Sequence, residues 1–149
     1  MSYCTWHNYG IGFNIDDGLF INDDKLIAAI DGSHLMDKYD ETFKEVYEEC
    51  DKDINEACIE IDEYGLGMAS VIARIIEERN PGLYLCACDD YNGNQYVMYQ
   101  ASYPWDMSDF DKTLTKEKIT DIFEEFINSI TDTPIDRSII GDCEVENGG

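Results

Sequence analysis

A long segment near the middle of this acidic chain carries almost no net charge, and its first part has the apolar spacing of a helix. Between Leu66 and Glu78, hydrophobic side chains recur at positions 66, 69, 72, 73 and 76, which places them on one helical face. Three further apolar residues, at positions 68, 71 and 75, widen that face. Pro81 then ends the pattern, because proline cannot continue the hydrogen-bond ladder. The spacing therefore predicts a central helix that is covered on several sides.

Two short runs after this helix have the composition of β-strands. Residues 83–88 and 95–101 are rich in leucine, tyrosine and valine, and an acidic connection containing Asn92-Gly93 separates them. An Asn-Gly pair between two such runs is a strong signal for an antiparallel hairpin. The central helix and this hairpin are the predicted core.

The flanking segments predict further helices and two outer strands. The strands are expected at Tyr3–Ile15 and Ser138–Val145. Helix patterns begin at Asn22 or Asp23, at Ser33, at Asp53, and at Thr113 or Thr115, and the Ser33 helix is expected to continue to Cys50. This order predicts a single α+β domain over residues 1–149, with a mostly antiparallel sheet of three to five strands packed with four to five helices.

The large negative charge is the property of the composition that says most about function. The 149 residues include 33 acidic and 10 basic side chains, a formal net charge of -23, yet 44% of them are hydrophobic. The apolar content excludes an acidic disordered tail, and the net charge argues against direct nucleic-acid binding, which needs a positive groove. The excess is concentrated in the flanks: residues 1–63 hold 17 acids and 4 bases, whereas residues 64–105 hold 4 and 2.

The predicted Ser33–Cys50 helix has one acidic face, and an acidic loop follows the hairpin. Carboxylates four residues apart on a helix are about 6 Å apart along its axis. Duplex DNA carries a charge every ~1.7 Å, so a surface dense in carboxylates can occupy a groove built for nucleic acid. A solvated acidic surface that only keeps the protein soluble is the alternative interpretation. The candidate partner-binding residues are Asp37, Asp40, Glu41, Glu45, Glu48 and Glu49, with Asp106, Asp109 and Asp111 as a second patch.

Three segments carry a resemblance to known proteins. The sequences YCTWHNYG (residues 3–10), ACDDYNG (87–93) and YPWDM (103–107) resemble those of small acidic proteins of phages and mobile elements of Firmicutes. In size and acidity the chain is also similar to anti-CRISPR proteins that inhibit type II Cas9. The resemblance implies a stoichiometric inhibitor that occupies a basic surface of Cas9 and blocks guide or target DNA loading. Cas9 holds its heteroduplex in a positively charged channel, which makes it a suitable target.

Cysteines and histidines near the N-terminus and the hairpin suggest a second function. Cys86 and Cys88 lie two residues apart, so on a strand both side chains point to one face. Together with Cys4 and His7 they could hold a tetrahedral Zn²⁺ that fixes the N-terminal strand to the hairpin. Buried thiols that pack as small apolar residues are the other interpretation. The alternative function is thus a small structural zinc-binding interaction protein of a mobile element whose acidity is incidental.

Sequence motifs give no support for catalysis or for a membrane protein. The chain has no phosphate-binding loop, dinucleotide fingerprint or nucleophile elbow, so we expect a protein that is not an enzyme. It also has no apolar run long enough to span a bilayer, and its N-terminus lacks the basic and apolar regions of a signal peptide. The expected location is the cytoplasm of a host bacterial cell.

Overall fold

A computed structural model describes residues 5–16, 19–62, 67–90, 92–100 and 113–148 of the chain. For residues 5–9 and 146–148 only the backbone is described. The secondary structure follows the predicted α+β order. Within the described residues, no helix is both long enough and apolar enough to cross a membrane.

Five α-helices and four β-strands make up the described part of the chain. The strands are β1 (Thr5–Asn14), β2 (Cys86–Asp89), β3 (Gln95–Tyr99) and β4 (Gly141–Gly148). The helices are α1 (Asp23–Asp31), α2 (Phe43–Glu49), α3 (Ile54–Ile61), α4 (Met68–Arg79) and α5 (Lys116–Ile130). Two short 3₁₀ turns, His34–Met36 and Arg137–Ile139, precede α2 and β4. These numbers confirm the predicted fold class, with four strands and five helices.

The strands form one antiparallel sheet in the order β2-β3-β1-β4. The hairpin supplies β2 and β3, whose register pairs Ala87 with Val97. β1 lies between β3 and β4 and pairs with both, for example through Phe13 with Val97 and Ile11 with Asp142. The first described strand of the chain is therefore the centre of the sheet, and its partners lie more than 80 residues away in sequence.

The helices cover one face of this sheet. Phe13 from β1 meets Phe123 from α5 edge to face, with 5.2 Å between ring centroids. α4 packs against β2 and β3, and α5 packs against β1. The core between them is aliphatic and aromatic, and its fully buried members include Leu26, Ile72 and Ile127. Residues of the sheet that alternate with this core point to the opposite face.

Helix starts agree with the predicted capping residues at three places. The side chain of Asn22 accepts from Lys25 N, that of Asp53 accepts from Asn55 N and Glu56 N, and that of Thr115 accepts from Lys118 N. Each cap satisfies donors of the first turn that have no partner within the helix. The predicted starts of α1, α3 and α5 are confirmed.

The predicted helix from Ser33 to Cys50 is wrong. Ser33 caps only the 3₁₀ turn His34–Met36, and α2 begins anew after Thr42. Two acceptors cause the new start: the Thr42 hydroxyl binds Glu45 N, and the carboxylate of Asp31, at the end of α1, binds Phe43 N at 2.7 Å. The second bond joins residues 12 apart, so local spacing did not reveal it. The break turns α2 back against α1 and α3.

Gly12 is required where β1 approaches β3. A Cβ at this position would overlap the carbonyl oxygen of Val97 and lie 2.9 Å from Cγ of Met98. The backbone oxygen cannot move without separating the two central strands. Glycine therefore sets the spacing between β1 and β3 at this point.

We expect Gly12→Ala to lower the free energy of unfolding by about 1–3 kcal/mol, because the added methyl group overpacks the strand interface. Urea unfolding followed by circular dichroism measures the change. Gly141→Ala is the matched control, since a Cβ there meets no atom within 4 Å. Equal stability of the two variants would contradict the role given to Gly12.

Candidate functional site

Six predicted partner-binding carboxylates lie on α2 and in the loop before it. Asp37 and Asp40 are exposed in the loop, and Glu45, Glu48 and Glu49 are exposed on α2. Glu41, at the end of the loop, is partly buried. The second predicted patch, Asp106, Asp109 and Asp111, lies outside the described residues.

Asp37 has a partner of its own. Its carboxylate lies 2.9 Å from Nδ1 of His34, and Glu78 of α4 accepts from the backbone N of the same histidine at 3.0 Å. The hydrogen bond to Asp37 and the charge of Glu78 raise the pKa of His34. Glu78 therefore attaches the 3₁₀ turn to α4, while Asp37 is bound to His34 within the turn and is less available to a partner than the α2 carboxylates.

A cleft of about 280 Å³ lies between the loop before α2, the second half of α2 and the end of α3. Three carboxylates line it: Glu41 from the loop, Glu49 from α2 and Glu60 from α3. Its floor is apolar and contains Val46, Ile61, Tyr39 and Cys50. We name this cleft and its three carboxylates the acidic cleft. Its size is suited to a single side chain of a partner.

Two carboxylates of the acidic cleft, Glu41 and Glu49, repel each other. Loss of hydration and the nearby carboxylate of Glu49, which is within hydrogen-bonding reach, raise the pKa of Glu41. Glu45 adds a smaller repulsion. Like charges at this distance disfavour each other's ionised form. A cation placed between Glu41 and Glu49 would relieve the repulsion.

The thiol of Cys50, at the floor of the cleft, lies in a negative electrostatic potential. Burial raises the pKa of its thiol, and the charges of Glu60, Glu56, Glu49 and Asp53 raise it further. Carboxylates from two helices therefore act on one point. The thiol stays protonated at neutral pH, which makes it a poor nucleophile.

Few cations neutralise this region. Residues 37–62 hold eleven acidic and three basic side chains. Between described residues, no ion pair involves any position from 38 to 62, and Lys38 lies over the ring of Tyr39. The carboxylates of the acidic cleft therefore have no ion-pair partner among the described residues.

Sequence analysis missed the contribution of α3. Glu56 and Glu60 lie on the face of α3 opposite its buried residues Ala57, Cys58 and Ile61, and that pattern is readable from the sequence. What the sequence did not reveal is that α3 packs beside α2. The tight connection between them uses Asp51 and Lys52 in left-handed backbone conformations, with φ of 55° and 62°.

The proposed zinc ligands are only partly described. Cys4 and the side chain of His7 lie outside the described residues, so the set of Cys4, His7, Cys86 and Cys88 stays a prediction. Within the described part of the chain, no three His, Cys, Asp or Glu side chains converge on a point that could hold a metal. Cys86 and Cys88 do contact each other, and both are in the thiol form.

The interaction between these two thiols shifts their pKa values in opposite directions. A hydrogen bond from Cys88 lowers the pKa of Cys86 to about 7, against the opposing effect of burial. The same bond and burial raise the pKa of Cys88. Cys86 is therefore the more reactive thiol of the pair, because the thiolate is the nucleophile.

Comparison with protein-family models, curated proteins and solved structures finds no match to this chain.

We expect Glu41→Gln to raise the free energy of unfolding at neutral pH, because it removes the repulsion with Glu49. An acid whose pKa is raised by folding binds its proton more tightly in the folded state. Stability therefore falls as pH rises from the unfolded value of 4.5 through the folded pKa. Urea unfolding at several pH values measures this, and the advantage of the variant should vanish below that window.

Glu48→Gln is the control for Glu41→Gln, since it removes one exposed charge from α2, the helix that carries Glu49. An equal gain in both variants would indicate a general effect of net charge. The gain would then not come from the pair.

We expect iodoacetamide to alkylate Cys86 with a midpoint near pH 7, and Cys88→Ala to shift that midpoint toward the ordinary value of 9. Peptide mass spectrometry of the modified protein measures the rate at each thiol. Cys50 is the internal control, because its raised pKa delays its reaction to higher pH. An unchanged midpoint in Cys88→Ala would contradict the thiol contact.

Proposed function

We propose that the protein is a stoichiometric inhibitor that binds a basic, nucleic-acid-handling protein through the acidic cleft and the exposed carboxylates of α2. The observation that carries the proposal is the pair of Glu41 and Glu49, which lies opposite Glu60 with no ion pair between any of the three and a described lysine or arginine. The proposed partner supplies that cation as a lysine or arginine side chain. Type II Cas9 is the candidate partner that the sequence resemblance suggests.

Electrostatics explains why a fixed carboxylate pair favours such a partner. A guanidinium group presents donors in a planar fork that matches carboxylates, and it remains charged at every relevant pH. Between Glu41 and Glu49 it would convert a repulsion into two attractions. The apolar floor at Val46 and Ile61 would contact the methylene stem of the same side chain.

The exposed carboxylates of α2 extend the interaction beyond the cleft. Glu45 and Glu49 are four residues apart, and Glu48 is adjacent, so α2 presents a short acidic row to solvent. A basic groove that normally holds phosphates would accept this row, and nucleic acid would then be excluded by competition. The proposed role needs no catalysis, and it places the protein in the cytoplasm of the host cell, where such partners act.

A merely solvated acidic surface is the competing interpretation. A surface that serves only solubility requires no particular arrangement of charges. Repulsion between its carboxylates would be lowest if they were spread apart. Support for a binding role comes from the opposite arrangement, in which carboxylates from the loop, α2 and α3 converge on one cleft.

We expect the triple variant Glu41→Gln, Glu45→Gln and Glu49→Gln to lose binding to purified Cas9, measured by titration calorimetry and by competition with guide RNA. Binding of the unaltered protein should weaken about tenfold or more between low and high salt, because screening weakens charge attraction. The matched control is Glu117→Gln, Asp121→Asn and Glu125→Gln, which removes three carboxylates at the same spacing from α5.

The two triples separate a specific site from total charge. Loss of binding in the α2 triple alone supports the acidic cleft. Equal loss in both, or affinity that does not depend on salt, would overturn the proposed site. No binding of the unaltered protein to Cas9 at low salt would overturn Cas9 as the partner, and the same titration with other basic nucleic-acid-binding proteins would then test the class.

A further inference from the structure

A group of sulfur atoms lies on the sheet face opposite the helices. Cys88 and Met98 are buried there, and Cys86 and Cys143 pack against them. These side chains come from three strands, β2, β3 and β4, and they are separate from the main core. The face is therefore not a polar outer surface of the sheet; it holds a second, sulfur-rich cluster.

Three of these sulfurs meet at the β2 edge of the sheet. The Sγ of Cys88 lies 3.6 Å from the Sδ of Met98. Cys86 is the register partner of Met98 across the hairpin, and it packs against the buried Cys88 and Met98. Two thiols and one thioether thus share a small region in which Cys86 remains partly exposed.

Strand geometry disfavours a disulfide between the two thiols. Residues two apart on an extended strand are separated by about 6.7 Å between Cα atoms. That is the upper limit of the usual range for disulfides, about 4.4–6.8 Å, so closure would distort β2. An ion that bridges the sulfurs needs no such closure, because the two sulfur atoms stay apart on either side of it.

The donor set selects the kind of ion. Thiolates and thioethers are soft ligands that favour Cu(I), whereas Ca²⁺ and Mg²⁺ take oxygen ligands. A structural zinc site needs four strong ligands, whereas no three His, Cys, Asp or Glu side chains of the described residues converge on one point here. Cu(I) accepts two or three sulfur ligands.

We propose that Cys86, Cys88 and Met98 form a binding site for a soft monovalent metal ion, Cu(I). Binding would release the thiol protons to solvent and leave two thiolates on the ion. The site would join β2 to β3 through side chains. β2 is a four-residue strand at the sheet edge, so this link would stabilise the part of the sheet with the fewest strand contacts.

Anaerobic titration of the whole protein with Cu(I), in competition with the chelator bicinchoninate, tests the site. We expect one Cu(I) per chain, with only sulfur ligands in its X-ray absorption spectrum, and a higher melting temperature. Cys86→Ser and Cys88→Ser should each weaken binding more than about 100-fold, since losing a ligand exceeds the ~10–100-fold cost of disturbing a supporting residue. Met98→Leu, which conserves volume, should weaken it about tenfold.

Cys50→Ser is the matched control, because Cys50 is also partly buried but lies at the end of α2, apart from the cluster. Circular dichroism of each variant shows whether it is folded. If Cys88→Ser does not fold, Cys86→Ser and Met98→Leu decide the question. The absence of Cu(I) binding to the unaltered protein, or retained binding in a folded Cys86→Ser variant, would overturn the proposal.

The same titration with Zn²⁺ separates this site from the predicted zinc site. One Zn²⁺ per chain that is lost in His7→Ala would overturn the Cu(I) site in favour of Cys4, His7, Cys86 and Cys88. Cu(I) binding that is unchanged in His7→Ala supports the three-sulfur site.

Discussion

The pairing of β1 with two strands that are distant in sequence is the contact on which the rest of the structure depends. β1 joins the hairpin strand β3 on one side and the last strand β4 on the other. One of its faces supplies Phe13 to the helical core, and the other carries Gly10 and Gly12. Without β1, the hairpin and β4 would not belong to one sheet. α4 and α5 would then have no common sheet to pack against.

Charge is the opposing constraint. A chain with net charge -23 folds only because the apolar interior is continuous, from Leu26 in α1 to Ile127 in α5, while the carboxylates stay at the periphery. The few ion pairs between described residues attach segments at the surface, as Arg137 does with Asp121 and Glu124. Carboxylates from different elements converge at the acidic cleft and repel one another there. The same convergence that costs stability makes the cleft suited to a cation.

Local sequence patterns determined the elements whose causes are local. Asn22, Asp53 and Thr115 cap helices through side-chain bonds that span two or three residues, so their types and positions suffice to predict the starts. Asn92-Gly93 lies in the hairpin connection, where Gly93 has a φ of 81° and the Asp90 side chain accepts from Asn92 N and Asn94 N. The fold class followed from these elements together with the apolar spacing of α4 and α5. The acidic composition of α2 also follows directly from the sequence.

Only the tertiary structure decided which of these elements become neighbours. The carboxylate of Asp31, at the end of α1, binds Phe43 N, so α2 starts there instead of continuing from Ser33. The packing of α2 beside α3 brings Glu60 opposite Glu41 and Glu49. Likewise, Cys86 and Cys88 are adjacent by strand periodicity, but Met98 joins them only through the hairpin register. A sequence fixes bonds within a few residues because the chain itself limits their distance. Contacts between remote residues depend on how whole elements pack, and no local spacing records that.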